Sequence, residues 1–417
     1  MSLFTIAGGR PLAGRLTVHG AKNSALPILA AAALCPGVSV IHNCPPLSDV
    51  TASLSILSHL GCTVTQEGET VTVDASTLTR QDIPDALMRE MRSSVLFLGA
   101  ILGRTGRAVL SYPGGCELGP RPIDLHLSAL RTLGAEIQEG PDGLVCQASR
   151  LRGGGIALSL PSVGATENAM LAAVAAEGVT TITNAAREPE IVDLQTFLRA
   201  MGAKVSGAGT SVVTIQGGRP LHGAEHTVMG DRIVACTHLA AVAAAGGSVE
   251  MEGVNPSHLV PVTNLLQEAG CEIHIREGLL CLTHEGPLSG VSPIHTAPYP
   301  GFPTDAQAPI MAALCAAAGT TLFVETMFQS RYRHVDELRR MGANIRTEGQ
   351  VALLTGVPRL HGANLRAHDL RGGAALVVAG LGAEGVTTVE GLEHIDRGYY
   401  HLDSVLRSLG ADIQRTD

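Results

Sequence analysis

Six times along the 417-residue chain the same change of pattern recurs. A run with apolar residues three and four apart ends in a glycine, and alternating polar and apolar positions follow. The junctions read HLGCTV at Gly61, TLGAEI at Gly134, AMGAKV at Gly202, EAGCEI at Gly270, RMGANI at Gly342 and SLGADI at Gly410, and successive glycines lie 73, 68, 68, 72 and 68 residues apart. The helical period, the capping glycine and the period of two predict an amphipathic helix running into a strand. A second glycine series stands upstream: Gly37, Gly106, Gly178, Gly246, Gly319 and Gly385. Each closes an Ala/Leu/Val-rich run and opens a β-branched stretch such as VTTITN. Those runs are apolar nearly all round, which predicts buried helices.

Each repeat therefore reads as buried helix, strand, loop, amphipathic helix and strand pair. Six repeats of this kind suggest two three-repeat domains of α/β (α+β) class, with sheets outside and apolar helices inside. Residues 22–229 would hold repeats one to three; residues 1–21 with 230–417 would hold repeats four to six. One strand, 4–18, is left over and is expected to pair with the C-terminal half, where repeat six ends abruptly.

Composition narrows the class. The chain is 45% hydrophobic and 16% charged, without tryptophan. The start, MSLFTIAGGRPLAG, has no basic n-region, so no signal peptide is expected. Apolar stretches such as 25–35 and 235–245 fall short of the roughly 20 residues of a membrane span. Nine scattered cysteines without a CxxC indicate neither a disulfide framework nor a zinc site, and a reducing cytoplasm is the simplest home. A net charge of −9 argues against a nucleic-acid surface. Of 29 basic residues only Lys22 and Lys204 are lysines, so a retained lysine is a candidate for a place that needs a compact ammonium. Lys204 falls at the polar strand position that Thr63, Glu136, Glu272, Asn344 and Asp412 hold in the other repeats, and is expected to be exposed and structural.

Candidate chemistry lies at the starts of the buried helices. Lys22 precedes its glycine by 15 residues; Arg92, Gly164, Arg232, Asp305 and Arg371 precede theirs by 14. If these helix starts converge, their free N–H groups and dipole ends, joined by Lys and Arg, make an anion site. Ordinary capping is the alternative, above all for Arg232. The loops before the amphipathic helices carry Arg121, Arg187, Arg331 and Arg397. Between its two glycines repeat two has 28 residues where the others have 23 to 25, and the excess falls in PGGCELGP. Cys116 thus rides a glycine-rich insertion that the architecture does not need, and Arg121 is placed to favour its thiolate or to orient an acidic substrate. The other eight cysteines fall in helix or strand patterns and are expected to be inert core.

GAKNSALPIL, MRSSVLFLG, PGGCELGPRPIDLHL, PSVGATENAML, NAAREPEIVDL, PTDAQAP, HDLRGGAALV and HIDRGY occur in that order over essentially the whole chain. Together they resemble the UDP-N-acetylglucosamine 1-carboxyvinyltransferases, a branch of the enolpyruvyl transferase family. The resemblance implies an inside-out α/β barrel of two domains, each of three βαβαββ units. It implies transfer of an enolpyruvyl group from phosphoenolpyruvate to the sugar 3′-hydroxyl with release of phosphate, the opening step of peptidoglycan precursor synthesis. It implies small-molecule substrates alone, with no cofactor, metal, nucleic acid or membrane, and does not give the oligomeric state.

The resemblance also assigns residues. Phosphoenolpyruvate would be held by Lys22, Asn23, Arg121 and Arg397, with Arg331 and Arg371 at its carboxylate. Cys116 would be the acid that protonates the CH2 carbon, form a covalent adduct with phosphoenolpyruvate, and be the thiol that fosfomycin alkylates; Asp305 would be the base for the hydroxyl. The catalytic set is then Cys116, Asp305, Lys22 and Arg397. The sugar nucleotide would meet Arg92, Arg121, Pro122, Ile123, Asp124, Leu125, Ser162, Val163, Gly164, Asp305 and Met327. One departure stands out: Leu160 occupies a position that is basic in some relatives, which leaves the diphosphate contacts unassigned. The alternatives are a 5-enolpyruvylshikimate-3-phosphate synthase-like enzyme, for which the cysteine loop is not expected, an RNA 3′-phosphate cyclase, whose histidine signature is missing, and an inactive sugar-nucleotide-binding scaffold.

Overall fold

The computed structural model describes residues 2–112, 123–141 and 143–416. The chain folds as two compact units. One runs from Gly20 to Met229; the other joins the segment up to His19 to Gly230 and the residues after it.

Both glycine series do what their positions require. Gly61, Gly134, Gly202, Gly270, Gly342 and Gly410 have φ between 93° and 109°, and Gly37, Gly106, Gly178, Gly246, Gly319 and Gly385 between 73° and 126°. This left-handed region strains side chains other than glycine. The inner helices are α1 (Lys22–Ala32), α2 (Phe97–Thr105), α3 (Val163–Ala173), α4 (Arg232–Ala245), α5 (Thr304–Ala313) and α6 (Leu370–Gly382). In α4 every residue from Arg232 to Ala243 is buried, and in α6 every residue from Arg371 to Leu381. Helices α4, α5 and α6 pack on one another in all three pairings. In the other unit α2 packs on α3, while α1 lies chiefly against the amphipathic helices Ser48–Leu60 and Pro189–Ala200.

Every repeat carries a four-stranded sheet. In the first, Val38–His42 pairs antiparallel with Thr70–Asp74, which pairs antiparallel with Thr63–Glu67. A fourth strand, Glu225–Thr227, joins Val38–His42 in parallel. Such a short parallel edge strand recurs as Asp82–Ile83, Gly155–Ala157, Ile294–His295 and Asn364–Arg366. Two or three residues are too few to show alternation, and the hydrophobic pattern alone did not signal them. In repeat four the edge strand is Leu12–Thr17, parallel to Gly247–Glu252. The edge strands of repeats one and four are thus exchanged: the strand before α1 serves repeat four, and the strand before α4 serves repeat one.

Two expectations need correction. The single strand expected over 4–18 is two strands, because Gly8 and Gly9 interrupt it; Leu3–Ala7 enters the sixth sheet between Val386–Glu390 and Asp412–Thr416. Arg92 does not begin an α-helix. Met91 is extended, Arg92–Leu96 is a 3-10 turn, and α2 starts at Phe97. Among the described residues no helix is long and apolar enough to cross a membrane, and no group of three or more His, Cys, Asp or Glu is placed to hold a metal ion.

The α2–α3 contact depends on one missing side chain. Gly99 donates its N–H to Asn168 Oδ1 at 2.6 Å, and a Cβ on Gly99 would lie 2.3 Å from that oxygen and 2.4 Å from the Asn168 carbonyl oxygen. Overpacking of this kind costs about 1–3 kcal/mol. Gly99→Ala is therefore expected to lower the thermal midpoint by several degrees. Gly155→Ala, where nothing lies within 4 Å of the added carbon, should leave it nearly unchanged. Equal midpoints for the two variants in differential scanning calorimetry would contradict this packing.

Candidate functional site

The polar groups of the first unit gather at helix starts. Lys22 opens α1, and its Nζ lies 2.9 Å from Asp49 Oδ2 in the first turn of Ser48–Leu60. Both side chains are at least nine-tenths buried. Asn23 beside it is half-buried, and Lys204 lies exposed on its strand. Ser162 caps α3, accepting from the Ala165 N–H at 3.3 Å, and places Val163 and Gly164 in the first turn. A Cβ on Gly164 would sit 3.0 Å from the ring of His126, so a side chain there would press the imidazole back by a few tenths of an ångström. Ile123 and Leu125 are half-buried and Asp124 is exposed at the start of Asp124–Thr132. Leu160 is 65% exposed.

His126 was missed by the sequence reading, because a histidine on the apolar face of a helix gives no signal in one dimension. Burial, reinforced by the nearby Arg92 guanidinium, lowers its pKa to about 4, against the pull of Asp124. The Asn168 amide carbonyl takes the Gly99 N–H, so the amide nitrogen donates to Val95 O and to His126 Nδ1 at 3.0 Å. The imidazole is thus neutral, with its proton on Nε2. It links Arg92, Asp124 and the start of α3.

The second unit brings Asp305, Arg331 and Arg371 together. Asp305 stands in the first turn of α5. Arg331 Nη2 reaches Asp305 Oδ1 at 2.6 Å and the Thr304 carbonyl at 2.9 Å; Arg371 Nη2 is 3.7 Å from Asp305 Oδ2. Both guanidiniums are nearly fully buried, while the carboxylate remains 30% exposed. Asp369 caps α6 through the N–H groups of Arg371 and Gly372, which fixes the backbone that carries Arg371. The Arg371 guanidinium carbon lies 5.3 Å from the ring centre of Tyr399, whose hydroxyl is 2.8 Å from Thr237 Oγ1. Burial alone would lower the Arg371 pKa, but Tyr399, Asp305 and Asp231 together raise it. Arg397 is half-buried in the turn that leads to Tyr399. Arg232 opens α4 behind the Asp231 cap and lies 5.6 Å from the Tyr299 ring.

Met327 is 40% exposed on a loop that a buried carboxylate holds. Glu325 Oε1 accepts from the Met327 and Phe328 N–H groups and from Thr296 Oγ1, and its Oε2 accepts from Thr304 Oγ1. Glu325 and His334 also escaped the sequence reading. His334 is fully buried between Asp369 and Arg331, and burial takes its pKa down to about 4.

Cys116, Arg121 and Pro122 lie outside the described residues. The other eight cysteines are free, seven of them buried and Cys281 half-buried. Burial pushes Cys62 and Cys146 up to about 11 and Cys44, Cys236, Cys271 and Cys315 up to about 12, so these thiols stay protonated and unreactive. Cys35, Cys44, Cys62 and Cys271 lie just past the ends of helices or strands rather than within them.

The family model of EPSP synthase (3-phosphoshikimate 1-carboxyvinyltransferase) matches residues 6–406. The chain is 52% identical, over the full length of both, to UDP-N-acetylglucosamine 1-carboxyvinyltransferase 2 of Caldanaerobacter subterraneus subsp. tengcongensis. It is 45% identical to the protein of that name from Bacillus subtilis, covering 100% of this chain and 97% of the relative. Among solved structures it is similar to the enolpyruvyl transferase NikO from Streptomyces tendae, at a TM-score of 0.89 and 28% identity, covering 100% and 99% of the two chains. An EPSP synthase from Acinetobacter baumannii matches at a TM-score of 0.77 and 21% identity over both full chains, a likeness of fold.

Glu167 on α3 gives this unit a pH dependence of its own. It is 3% exposed, its Oε1 has no hydrogen-bond partner among the described residues, and burial together with Glu190 and Glu188 raises its pKa well above the usual 4.5. A raised folded pKa means that its contribution to stability is complete below the unfolded value and is lost as pH rises toward the folded one. Glu167→Gln removes that loss. The melting temperature of the variant is expected to gain on the wild type between pH 5 and pH 8. A constant difference across that range would contradict a neutral Glu167.

Proposed function

We infer the reaction from the family: the chain belongs to the UDP-N-acetylglucosamine 1-carboxyvinyltransferases, within the EPSP synthase family of enolpyruvyl transferases. It is an enzyme that transfers the enolpyruvyl group of phosphoenolpyruvate to the 3′-hydroxyl of UDP-N-acetylglucosamine, releases phosphate, and so serves peptidoglycan precursor synthesis. The observation that carries this reading is the 52% identity over the whole of both chains. Phosphate release should appear with UDP-N-acetylglucosamine as acceptor and be absent with shikimate 3-phosphate; the reverse preference would move the chain to the sister activity.

Phosphoenolpyruvate carries a phosphate and a carboxylate, so its site needs several fixed cations. On our reading Lys22, Asn23, Arg121 and Arg397 hold it, with Arg331 and Arg371 at the carboxylate. The sugar 3′-oxygen bonds to the C2 carbon while its proton passes to Asp305, and Cys116 gives a proton to the CH2 carbon. Loss of that added proton and of phosphate then restores the vinyl group. Arg92, Arg121, Pro122, Ile123, Asp124, Leu125, Ser162, Val163, Gly164, Asp305 and Met327 take the sugar nucleotide. Its diphosphate relies on backbone N–H groups or on arginines, since Leu160 offers no charge. The grouping of Asp305 with Arg331 and Arg371 supports the assignment, as does the burial of Lys22.

Lys22→Arg tests the need for a compact cation. With Lys22 Nζ held at 2.9 Å by Asp49 in a buried place, a planar guanidinium would be displaced. Turnover should fall at least about tenfold, or roughly 1.4 kcal/mol of transition-state stabilisation. Lys204→Arg should turn over as the wild type does, and equal losses in both variants would refute the argument.

Cys116 is tested by acidity against shape. A serine hydroxyl is a far weaker acid than a thiol of reference pKa about 8.5, whereas a carboxyl can hold a proton where its surroundings raise its pKa. Cys116→Asp should keep more product formation than Cys116→Ser. Mass spectrometry after fosfomycin should place one adduct on the wild-type peptide containing Cys116 and none on either variant. If the serine variant proved the more active, the proton donor would have to be another group.

A further inference from the structure

Helix α1 opens without a cap of its own. The residue before it is Ala21, whose side chain has no oxygen to cap the helix, whereas Ser162, Asp231 and Asp369 cap α3, α4 and α6. The α1 start is held instead from a different helix. Ser24 Oγ, wholly buried, donates to Asp193 Oδ2 at 2.5 Å. The same oxygen accepts the Met229 N–H at 3.2 Å, and Met229 in turn accepts the Ala21 N–H at 2.7 Å. The other oxygen, Oδ1, lies 2.9 Å from His226 Nε2, and the His226 ring packs against Phe197 one turn further along the Asp193 helix. One carboxylate, 11% exposed in its side chain, therefore engages three donors, one on α1 and two from the stretch 226–229. From the other side, Asn43 donates to Val228 O at 2.8 Å, and Gly20 packs so tightly on Asn43 that a Cβ would fall 1.7 Å from its carbonyl oxygen.

We propose that Asp193 is a positioning residue for phosphoenolpyruvate binding, acting through Ser24 and Met229 to fix the first turn of α1 and with it Lys22 and Asn23. The proposal rests on the reading that Lys22 and Asn23 hold that substrate. Its physical content is a balance. Asp49 draws the Lys22 ammonium from one side, and the backbone beneath Lys22 must be held for the ammonium to stay where a phosphate would meet it. A carboxylate accepts all three hydrogen bonds at once. The amide of Asp193→Asn has a single accepting oxygen without charge, so the bonds to Ser24 and Met229 weaken, and His226 keeps a partner only by switching tautomer to accept from the amide nitrogen.

The test uses Asp193→Asn, Ser24→Ala and the double variant of the whole chain. Hydrogen exchange without substrate should quicken about tenfold or more at residues 22–26, while α2 and α3 keep their protection. In steady state, kcat/KM for phosphoenolpyruvate should fall about 10- to 100-fold, and KM for UDP-N-acetylglucosamine should stay within about twofold, because small misplacements of a binding group cost rates of this order. The double variant should be no worse than the poorer single one, since both act through one bond. Unchanged exchange in the first turn of α1, a loss of protection spread over the whole unit, or a Ser24→Ala enzyme as fast as the wild type would each overturn the proposal. A wild type inactive with both substrates would refute the transferase reading instead, and the exchange data would still decide whether Asp193 holds the helix start.

Discussion

A helix buried on every side can show polar chemistry only at its ends. In α6 the residues from Arg371 to Leu381 are all buried, and in α4 those from Arg232 to Ala243. Alanine, glycine and β-branched residues let these helices approach closely, as Gly99 does against Asn168. Nothing along their length is free to bind a polar ligand. At the N-terminus, however, the first N–H groups have no partner within the helix, and a charged side chain there stands at the end of the apolar run instead of within it. The demand for a dry core thus places Lys22, Asp305 and Arg371 in equivalent positions of three repeats.

The repeats meet the cost of those ends in different ways. Asp231 and Asp369 cap α4 and α6 directly, each with one oxygen on two N–H groups. Helix α5 has Pro303 at its cap, and its first turn is held by Glu325 on Thr304 Oγ1 and by Arg331 on the Thr304 carbonyl. Helix α1 depends on Asp193. Helix α2 gives up its first turn to a 3-10 stretch, which leaves Arg92 beside His126 and Asp124. A common frame therefore presents ends that differ in charge and in what orients them, and binding an asymmetric substrate requires such differences.

Much of the frame was legible in one dimension because glycine positions are dictated locally. A residue at φ near +95° is glycine whatever its tertiary surroundings, so the periodic glycines marked the helix ends reliably. Apolar runs marked the inner helices for the same reason. The edge strands Asp82–Ile83 and Ile294–His295 left no trace, since two residues carry no period. The division of residues 4–18 depended on two glycines that the alternation alone did not weigh. At the candidate site, Lys22 stood out by rarity and Arg371 by register. His126, Asp193 and Glu325 did not, because each bonds to a side chain 42, 169 and 29 positions away, respectively, which only folding brings near.

Charge is distributed by the same division between ends and surfaces. Exposed arginines such as Arg15 and Arg415 pair with Glu252 and Asp396, and pairs of that kind contribute little to stability. Arg371 is different. It is 3% exposed, its Nη1 has no hydrogen-bond partner among the described residues, and Asp305 stands 3.7 Å from its other nitrogen. A buried donor without an acceptor costs about 1–3 kcal/mol, more when it is charged. Tyr399, whose ring lies on the guanidinium and whose hydroxyl also meets it, offsets part of that cost but leaves Nη1 without an acceptor among the described residues. On the proposed reading the missing oxygen belongs to phosphoenolpyruvate, so stability given up by the free enzyme is returned when the substrate carboxylate arrives. A fold that satisfied Arg371 internally would be more stable and would bind the anion less well.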